Sequence, residues 1–267
     1  MMSYVDSVDA FAKIAKAKAT HVRQDLMGFL ILAAMAGAYV GFGILLIFSV
    51  GQGVDASIRP IVMGASFGLA LMLVVFAGSE LFTGHAMFMT FGKLTGRTNM
   101  SDLAICLVTS WVGNLIGATF LGALFVYGGG GLILTGDGAN LLHTVAEKKM
   151  HSSAITLILK GVLCNWLVCL AIWTSGRVTT DIAKIALIWF CLYAFIAAGF
   201  EHSIANMTIF SVALLSDHSS NITIAGAAHN LLFVSIGNVI AGAGIMGVGY
   251  WLAAGRPHIT DEFDGKV

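Results

Sequence analysis

The chain has 267 residues, of which 58% are hydrophobic and only 10% are charged, and its formal charges balance to zero. With a mean hydropathy of +0.89, it has too few polar side chains to cover the surface of a water-soluble protein. The balanced charge also provides no basic surface for a nucleic acid. The composition therefore predicts an all-α integral membrane protein that crosses the lipid bilayer several times.

An amphipathic segment precedes the apolar part of the chain. Within residues 1–25, Phe11 and Ala15 recur at helical spacing among lysines such as Lys13 and Lys16. This pattern predicts a helix at the membrane surface rather than a secretory signal peptide. Lysine and arginine also follow the second apolar window, separate the fourth from the fifth and lie in the tail, 255–267. The positive-inside rule therefore predicts that both termini are cytoplasmic.

The apolar part, residues 26–254, divides into windows long enough to cross a bilayer. Short or polar connections separate these windows. The sequence therefore predicts six transmembrane helices, at about 26–50, 60–91, 103–128, 154–175, 182–215 and 222–254.

Two of these windows are interrupted near their middle by polar residues. Gly78 and Glu80 interrupt the second window, and Gly199 and Glu201 interrupt the fifth. An ionisable residue at that depth is costly unless it faces a cavity or a partner, so it is a functional candidate. Spans 2 and 5 are therefore predicted to be broken helices around a transport site.

The two halves of the apolar part resemble each other. Three segments recur at a near-constant offset: 37–48 with 161–172, 77–80 with 198–201, and 112–116 with 236–240. Because the repeated unit contains three spans, the second copy enters the membrane upside down. The sequence predicts an inverted repeat, about 26–128 and about 154–254, whose two broken helices meet at mid-membrane.

The two breaks carry residues suited to a small anion. A broken helix exposes backbone N–H groups at a positive helix end, and two such ends together form an anion site. His202 can hydrogen-bond an anion or exchange a proton with it, and Thr83 offers a rotatable hydroxyl. Glu80 and Glu201 are better suited to hold the loop amides than to carry protons.

Other polar residues leave two interpretations open. Asn114, Asn165 and Asn238 each either clamp a neighbouring helix or line the cavity, because a buried amide needs a partner. Lys149 is either a solvated lysine or a cation that concentrates anions at a pore mouth. His85 fits a structural role and a functional role equally well. No pattern in the sequence predicts a metal, a cofactor or a catalytic site.

Three motifs carry a resemblance to a known family. They are Glu80-Leu-Phe-Thr-Gly-His-Ala-Met-Phe88, Lys160-Gly-Val-Leu-Cys-Asn-Trp-Leu-Val-Cys-Leu-Ala-Ile-Trp173 and Gly199-Phe-Glu-His-Ser-Ile-Ala-Asn-Met207. Together they resemble the formate/nitrite transporter family of bacterial anion channels, over essentially the whole membrane part. The Leu-Phe-Thr-Gly-His of the first break is most similar to the nitrite-channel branch. The resemblance implies an aquaporin-like protomer with its own pore, assembled as a homopentamer.

The resemblance also implies roles for individual residues. It makes His202 the central pore histidine, Thr83 its partner, Lys149 a vestibule lysine and Asn165 a pore-lining asparagine. It places hydrophobic constrictions at Phe67, Leu71, Leu81, Phe82, Val168 and Phe195. Because apolar rings oppose a charged permeant, protonation or local stabilisation of the anion is expected to accompany passage, with His202 as the proton donor.

These observations predict a channel or proton-linked transporter of the bacterial inner membrane for nitrite and similar small monovalent anions. Formate and hydrosulfide are alternatives within the family, and only the Gly84-His85 pair discriminates among them. A water or glycerol channel predicts Asn-Pro-Ala motifs at the breaks, whereas both prolines, Pro60 and Pro257, lie elsewhere. A membrane metalloprotease needs a His-Glu-x-x-His motif, which the sequence lacks.

Overall fold

The structure, a computed structural model, describes residues 3–258, and all regular elements in that range are helical. Most of the predicted tail, 255–267, therefore lies outside the described residues. The helices are α1 (Tyr4–Gln24), α2 (Leu26–Gly51), α3 (Arg59–Ser66), α4 (Leu69–Ala77), α5 (Phe82–Thr95), α6 (Met100–Tyr127), α7 (Asp137–Met150), α8 (Ala154–Ser175), α9 (Asp181–Ala197), α10 (Ser203–Leu215), α11 (Ile224–Val239) and α12 (Gly249–Ala253). A 3₁₀ turn, Gly131–Leu134, precedes α7, and a π-helical segment, Ile240–Val248, joins α11 to α12.

The helices confirm an all-helical, multi-pass membrane protein. Five stretches in the described part are long and apolar enough to cross a bilayer: Leu26–Gly51, Arg59–Ala77, Met100–Tyr127, Ala154–Ser175 and Ile224–Ala253. Helix α6 shows why such a fold belongs in a membrane. Its side chains Ile116, Phe120 and Leu124 are all more than half exposed, as expected for a face that meets lipid or another subunit.

Small residues bring pairs of long helices into backbone contact. A Cβ atom on Gly37 of α2 would overlap the backbone of Asn114 in α6, and one on Gly117 of α6 would overlap the backbone of Ala34. Helices α8 and α11 cross in the same way at Gly237. Because a larger residue would force each pair of helices apart, these glycines set the interhelical distance.

The amphipathic segment forms α1, which packs against the membrane helices along one face. The side chains of Val8, Ala12 and Ala15 on this face are fully buried, and the ring of Phe11 lies 5.4 Å from that of Trp173. Asp9 on the opposite edge accepts from Arg97 at 2.6 Å. Helix α1 is therefore held by both apolar contact and an ion pair.

Helix α7 is an element that the sequence did not predict. It occupies Asp137–Met150, between the predicted third and fourth spans, and buries Leu142, Ala146 and Met150. Like α1, it is amphipathic and precedes a long apolar helix. The fold thus has one amphipathic helix before α2 and another before α8, at corresponding places in the two halves of the chain.

Candidate anion pore

At each of the two predicted breaks, the chain leaves helical geometry at a glycine. Helices α4 and α9 are followed by Gly78 (φ 74°) and Gly199 (φ 69°), in the left-handed region that a residue with a Cβ adopts only with strain. A short extended segment follows each glycine, and helices α5 and α10 then begin at Phe82 and Ser203. Each segment therefore leaves backbone polar groups that need partners.

Asn114 of α6 clamps the first break. Its Oδ1 accepts from the backbone N–H of Phe82 at 3.0 Å, and its Nδ2 donates to the carbonyl oxygens of Glu80 at 2.9 Å and Ala33 at 2.7 Å. The side chain is fully buried. Of the two roles that the sequence left open for Asn114, these contacts are those of a clamp.

Asn238 of α11 repeats this arrangement at the second break. Its Oδ1 accepts from the backbone N–H of Ser203 at 3.0 Å and from the Ser203 hydroxyl at 2.8 Å. Its Nδ2 donates to the carbonyl oxygens of Gly161 at 2.8 Å and Glu201 at 3.1 Å. The two asparagines therefore make equivalent contacts at the two breaks.

Glu80 lies at the first break and receives two donors on the same carboxylate oxygen. His85, five residues later, contacts this oxygen through Nε2 at 2.6 Å, and Lys18 of α1 donates to it. His85 is 1% exposed, so this contact is shielded from solvent. Lys18 thus crosses from the amphipathic helix to the break instead of remaining at the surface.

Glu201 lies at the second break and is bound in a parallel way. Its Oε2 accepts from Lys149 of α7 at 2.9 Å and from Asn206, again five residues later, at 2.7 Å. Asn206 also donates to Asn230, whose own amide donates to the carbonyl of Lys149 at 2.9 Å. Lys149 is therefore fixed against a carboxylate, with 17% of its side chain exposed.

His202 caps helix α10 and reaches across to the other break. Its Nδ1 accepts from the backbone N–H of Ala205 at 3.1 Å, so a neutral ring carries its hydrogen on Nε2. Nε2 lies 3.2 Å from the hydroxyl of Thr83 in the first turn of α5, and both residues are buried. Because the Thr83 oxygen accepts from His202, its own proton remains available to a third group.

Asn165 of α8 lies behind Thr83. Its Nδ2 donates to the carbonyl oxygens of Thr83 at 3.1 Å and Asn238 at 2.6 Å, and its Oδ1 has no partner among the described residues. The side chain is fully buried. These contacts position the pore residues, while a direct role in lining the pore remains a prediction.

Two cavities of similar size lead toward the Thr83–His202 contact. The first, which we call the α1 cavity, has a volume of about 470 Å³, and Lys18, Leu71, Leu81 and His85 line it. The second, which we call the α7 cavity, also has a volume of about 470 Å³, and its lining includes Lys148, Lys149, Lys160, Phe195, Glu201 and His202. Each cavity therefore contains the lysine and the carboxylate-bound residues of one break.

A small central cavity of about 10 Å³ lies between the two larger ones. It shares Leu71 and Leu81 with the α1 cavity, and Phe195 and His202 with the α7 cavity. The three cavities therefore lie in series. A volume of this size holds about one water molecule, so the path is closed to a larger solute at this point.

Apolar side chains form the closure. The rings of Phe67 and Phe195 meet edge to face with centroids 5.6 Å apart, and the ring of Phe195 stacks on that of His202 at 5.9 Å. Five of the six predicted constriction residues line the central cavity: Phe67, Leu71, Leu81, Val168 and Phe195. Phe82 is not among its lining residues, its backbone N–H donates to Asn114, and its role in a constriction stays a prediction.

Two cavities in series across a bundle of membrane helices, separated by a narrow apolar closure, define a membrane channel or transporter for small solutes. The chain belongs to the formate/nitrite transporter family, because residues 8–252 match the family described as "Formate/nitrite transporter". It is 48% identical to "Nitrite transporter NirC" of Escherichia coli strain K12 over 264 residues, which cover 98% of this chain and 97% of that protein.

Solved structures agree with this assignment. An "FNT family ion channel" superimposes with a TM-score of 0.90 at 48% identity, covering 93% of this chain and 98% of that one. A "Pentameric formate channel with formate bound" shares the fold, with a TM-score of 0.76 at 24% identity, covering 85% and 96%. These comparisons confirm the family resemblance and the prediction of a transport protein rather than an enzyme.

Proposed function

We propose that this chain is a bacterial inner-membrane channel for nitrite and similar small monovalent anions. The observation that carries the proposal is the contact between His202 and Thr83, made where helices α10 and α5 begin and beside the central cavity, which His202 lines. Two helix starts with a hydroxyl and an imidazole N–H between them suit a small anion. The 48% identity to a protein named as a nitrite transporter favours nitrite over formate or hydrosulfide.

The proposal includes an inverted repeat of six spans in an aquaporin-like arrangement. Helices α3, α4 and α5 form the second span, and α9 and α10 form the fifth. The parallel contacts of Asn114 and Asn238, and of Glu80 and Glu201, support this pairing of 26–128 with 154–254. With both termini cytoplasmic, the α1 cavity opens to the cytoplasm and the α7 cavity to the outside.

Five protomers, each with its own pore, would form the assembly. Exposed apolar faces of the kind seen on α6 support contacts with neighbouring subunits as well as with lipid. The formate channel that shares this fold is described as pentameric, which is consistent with such an assembly. Because each pore lies within one chain, transport through one protomer does not require a residue from another.

His202 gives the proposal a specific proton chemistry. In the neutral ring, Nε2–H donates a hydrogen bond to Thr83 or to an anion that replaces it. To hand over a proton and remain neutral, the ring must first gain a proton on Nδ1, which faces the N–H of Ala205. Proton-coupled passage therefore requires that the cap of α10 open, whereas passage of the bare anion does not.

Flux into proteoliposomes tests the function. Nitrite, formate and glycerol uptake are compared with and without a pH gradient, for wild type, His202→Asn and Thr83→Val. The matched control is His229→Asn, because His229 is a half-buried histidine that is not among the lining residues of the three cavities. All variants must elute as the wild-type assembly in gel filtration before their fluxes are compared.

The proposal predicts nitrite uptake above formate uptake, with a response to the pH gradient that disappears in His202→Asn and persists in His229→Asn. Thr83→Val keeps the size of the side chain but removes the hydroxyl, so it should reduce anion flux while assembly is unchanged. Equal nitrite and formate uptake would leave a general small-anion channel. Glycerol uptake without anion uptake would overturn the proposal.

A further inference from the structure

Lys160 lies in the α7 cavity, close to the second break. It is six residues from the start of α8 at Ala154, which places it about 9 Å along the helix. Its backbone carbonyl accepts from the N–H of Glu201 at 3.3 Å, so the residue borders the loop that leads to His202. The residue is half-buried and lines the same cavity as His202 and Lys149.

Lys160 differs from the other half-buried cations of this cavity in its bonding. Lys149 donates to the carboxylate of Glu201, and Arg59 donates to two backbone carbonyl groups at and just after the end of α2, at 2.9 Å each. Across residues 3–258, no hydrogen bond or ion pair engages the ammonium of Lys160. Glu201 compensates the charge of Lys149, whereas no carboxylate among the described residues compensates that of Lys160.

An uncompensated cation attracts anions into a cavity with apolar walls, because the low-dielectric walls concentrate its field. We propose that Lys160 forms an anion-binding subsite in the α7 cavity, where a monovalent anion rests against the ammonium before it reaches His202 and Thr83. This inference rests on the proposed anion transport. It assigns to Lys149 a different task, which is to neutralise Glu201 and hold the second break in place.

Coulomb's law gives the size of the effect. Two unit charges about 6 Å apart, in surroundings with an effective dielectric constant of about 40, change a binding constant about tenfold. Added salt screens this attraction, with a Debye length of about 10 Å at 0.1 M and about 30 Å at 0.01 M. The effect of Lys160 is therefore expected to be largest in dilute buffer.

Initial rates of nitrite uptake into proteoliposomes, measured against nitrite concentration in dilute buffer, test the subsite. The variants are Lys160→Met, which removes the charge, and Lys160→Arg, which keeps it. Lys160→Gln serves if the methionine variant fails to assemble. The matched control is Lys148→Met, which removes the same charge from an exposed position in the lining of the same cavity.

We expect Lys160→Met to raise the half-saturating nitrite concentration about tenfold, with little change in the maximal rate and a smaller shift in added salt. Lys160→Arg should stay near wild type, and Lys148→Met should shift the value less than about twofold. An unshifted Lys160→Met, or an equal shift in Lys148→Met, would overturn the subsite. A wild type without nitrite uptake would overturn the proposed function instead.

Discussion

The clamp at the first break can be tested by replacing Asn114 with leucine, a side chain of similar volume that cannot hydrogen-bond. The substitution removes three hydrogen bonds, to the N–H of Phe82 and to the carbonyl oxygens of Glu80 and Ala33. The carbonyl of Ala33 keeps its helical bond within α2, because Gly37 follows it by four residues in the same helix. Two buried backbone groups are therefore left without a partner.

Each buried polar group that loses its partner costs about 1–3 kcal/mol. Asn114→Leu is therefore expected to lower the free energy of unfolding by about 2–6 kcal/mol. Hydrogen bonds between membrane helices contribute about 0.6 kcal/mol each on average, which favours a loss near the lower value of this range. Asn238→Leu should cost a similar amount, because it removes the equivalent contacts at the second break.

Unfolding in mixed detergent micelles, followed by the fluorescence of the 5 tryptophans, measures this loss. Asn140→Leu is the control, because Asn140 is an exposed amide on α7, where a surface substitution changes stability by less than about 0.5 kcal/mol. An Asn114→Leu protein as stable as wild type would refute the clamp. So would equal losses in the Asn114 and Asn140 variants.

Three further predictions use the same unfolding measurement. Gly37→Ala should destabilise the protein by about 1–3 kcal/mol, because the added Cβ would meet the backbone of α6. Gly249 has open space around it, so Gly249→Ala should leave the stability unchanged or raise it slightly. Equal effects of the two substitutions would contradict the close crossing of α2 and α6. Burial and the charge of His218 hold the pKa of His143 below its ordinary value of 6.5, so the neutral ring favours the fold. The free energy of unfolding should therefore fall as the pH drops below 6.5, and it should fall less steeply in His143→Asn than in wild type. Parallel pH profiles of the two proteins would contradict this role of His143. Lys18→Met should cost about 1.5–3 kcal/mol, because the buried carboxylate of Glu80 loses one charged donor and keeps only its contact with His85. An unchanged stability would show that the Lys18–Glu80 pair is not needed.

Local signals predicted the main features of the pore. A glycine followed by a glutamate within an apolar run is visible in the sequence, and the left-handed conformations of Gly78 and Gly199 are the physical reason for those glycines. His202 and Thr83 were predicted from their places in the two breaks, and the resemblance implied that they are partners. The 3.2 Å distance between them could not be predicted, because it joins residues 119 positions apart.

Long-range contacts account for what the sequence left open. Asn114 and Asn165 looked alike as buried amides, and only the position of their partners, 32 to 82 residues away, separates a clamp on the loop from a support behind Thr83. The constriction role of the Phe82 side chain stays a prediction, and the contact that could not be foreseen is that of its backbone N–H with Asn114. A residue's type predicts that it needs a partner and does not identify that partner.

Lys18, Asn206 and α7 were not predicted from the sequence as parts of the site. One signal could have found them. Glu80 and Glu201 correspond to each other in the predicted repeat. The two halves could therefore have been compared at the residue five positions after each glutamate, and at the lysines of the amphipathic helix that precedes each half. That comparison would have extended the repeat beyond 26–128 and 154–254 to include the amphipathic helix before each unit.

The order of residues along the chain has a consequence for how the protein is made. Lys18 precedes Glu80 by 62 residues, and Lys149 precedes Glu201 by 52. At a synthesis rate of about 5–20 residues per second, each lysine leaves the ribosome roughly 3–12 s before its glutamate. Each carboxylate therefore enters the bilayer after its counter-ion has been made, so the acid never has to wait for the synthesis of its partner.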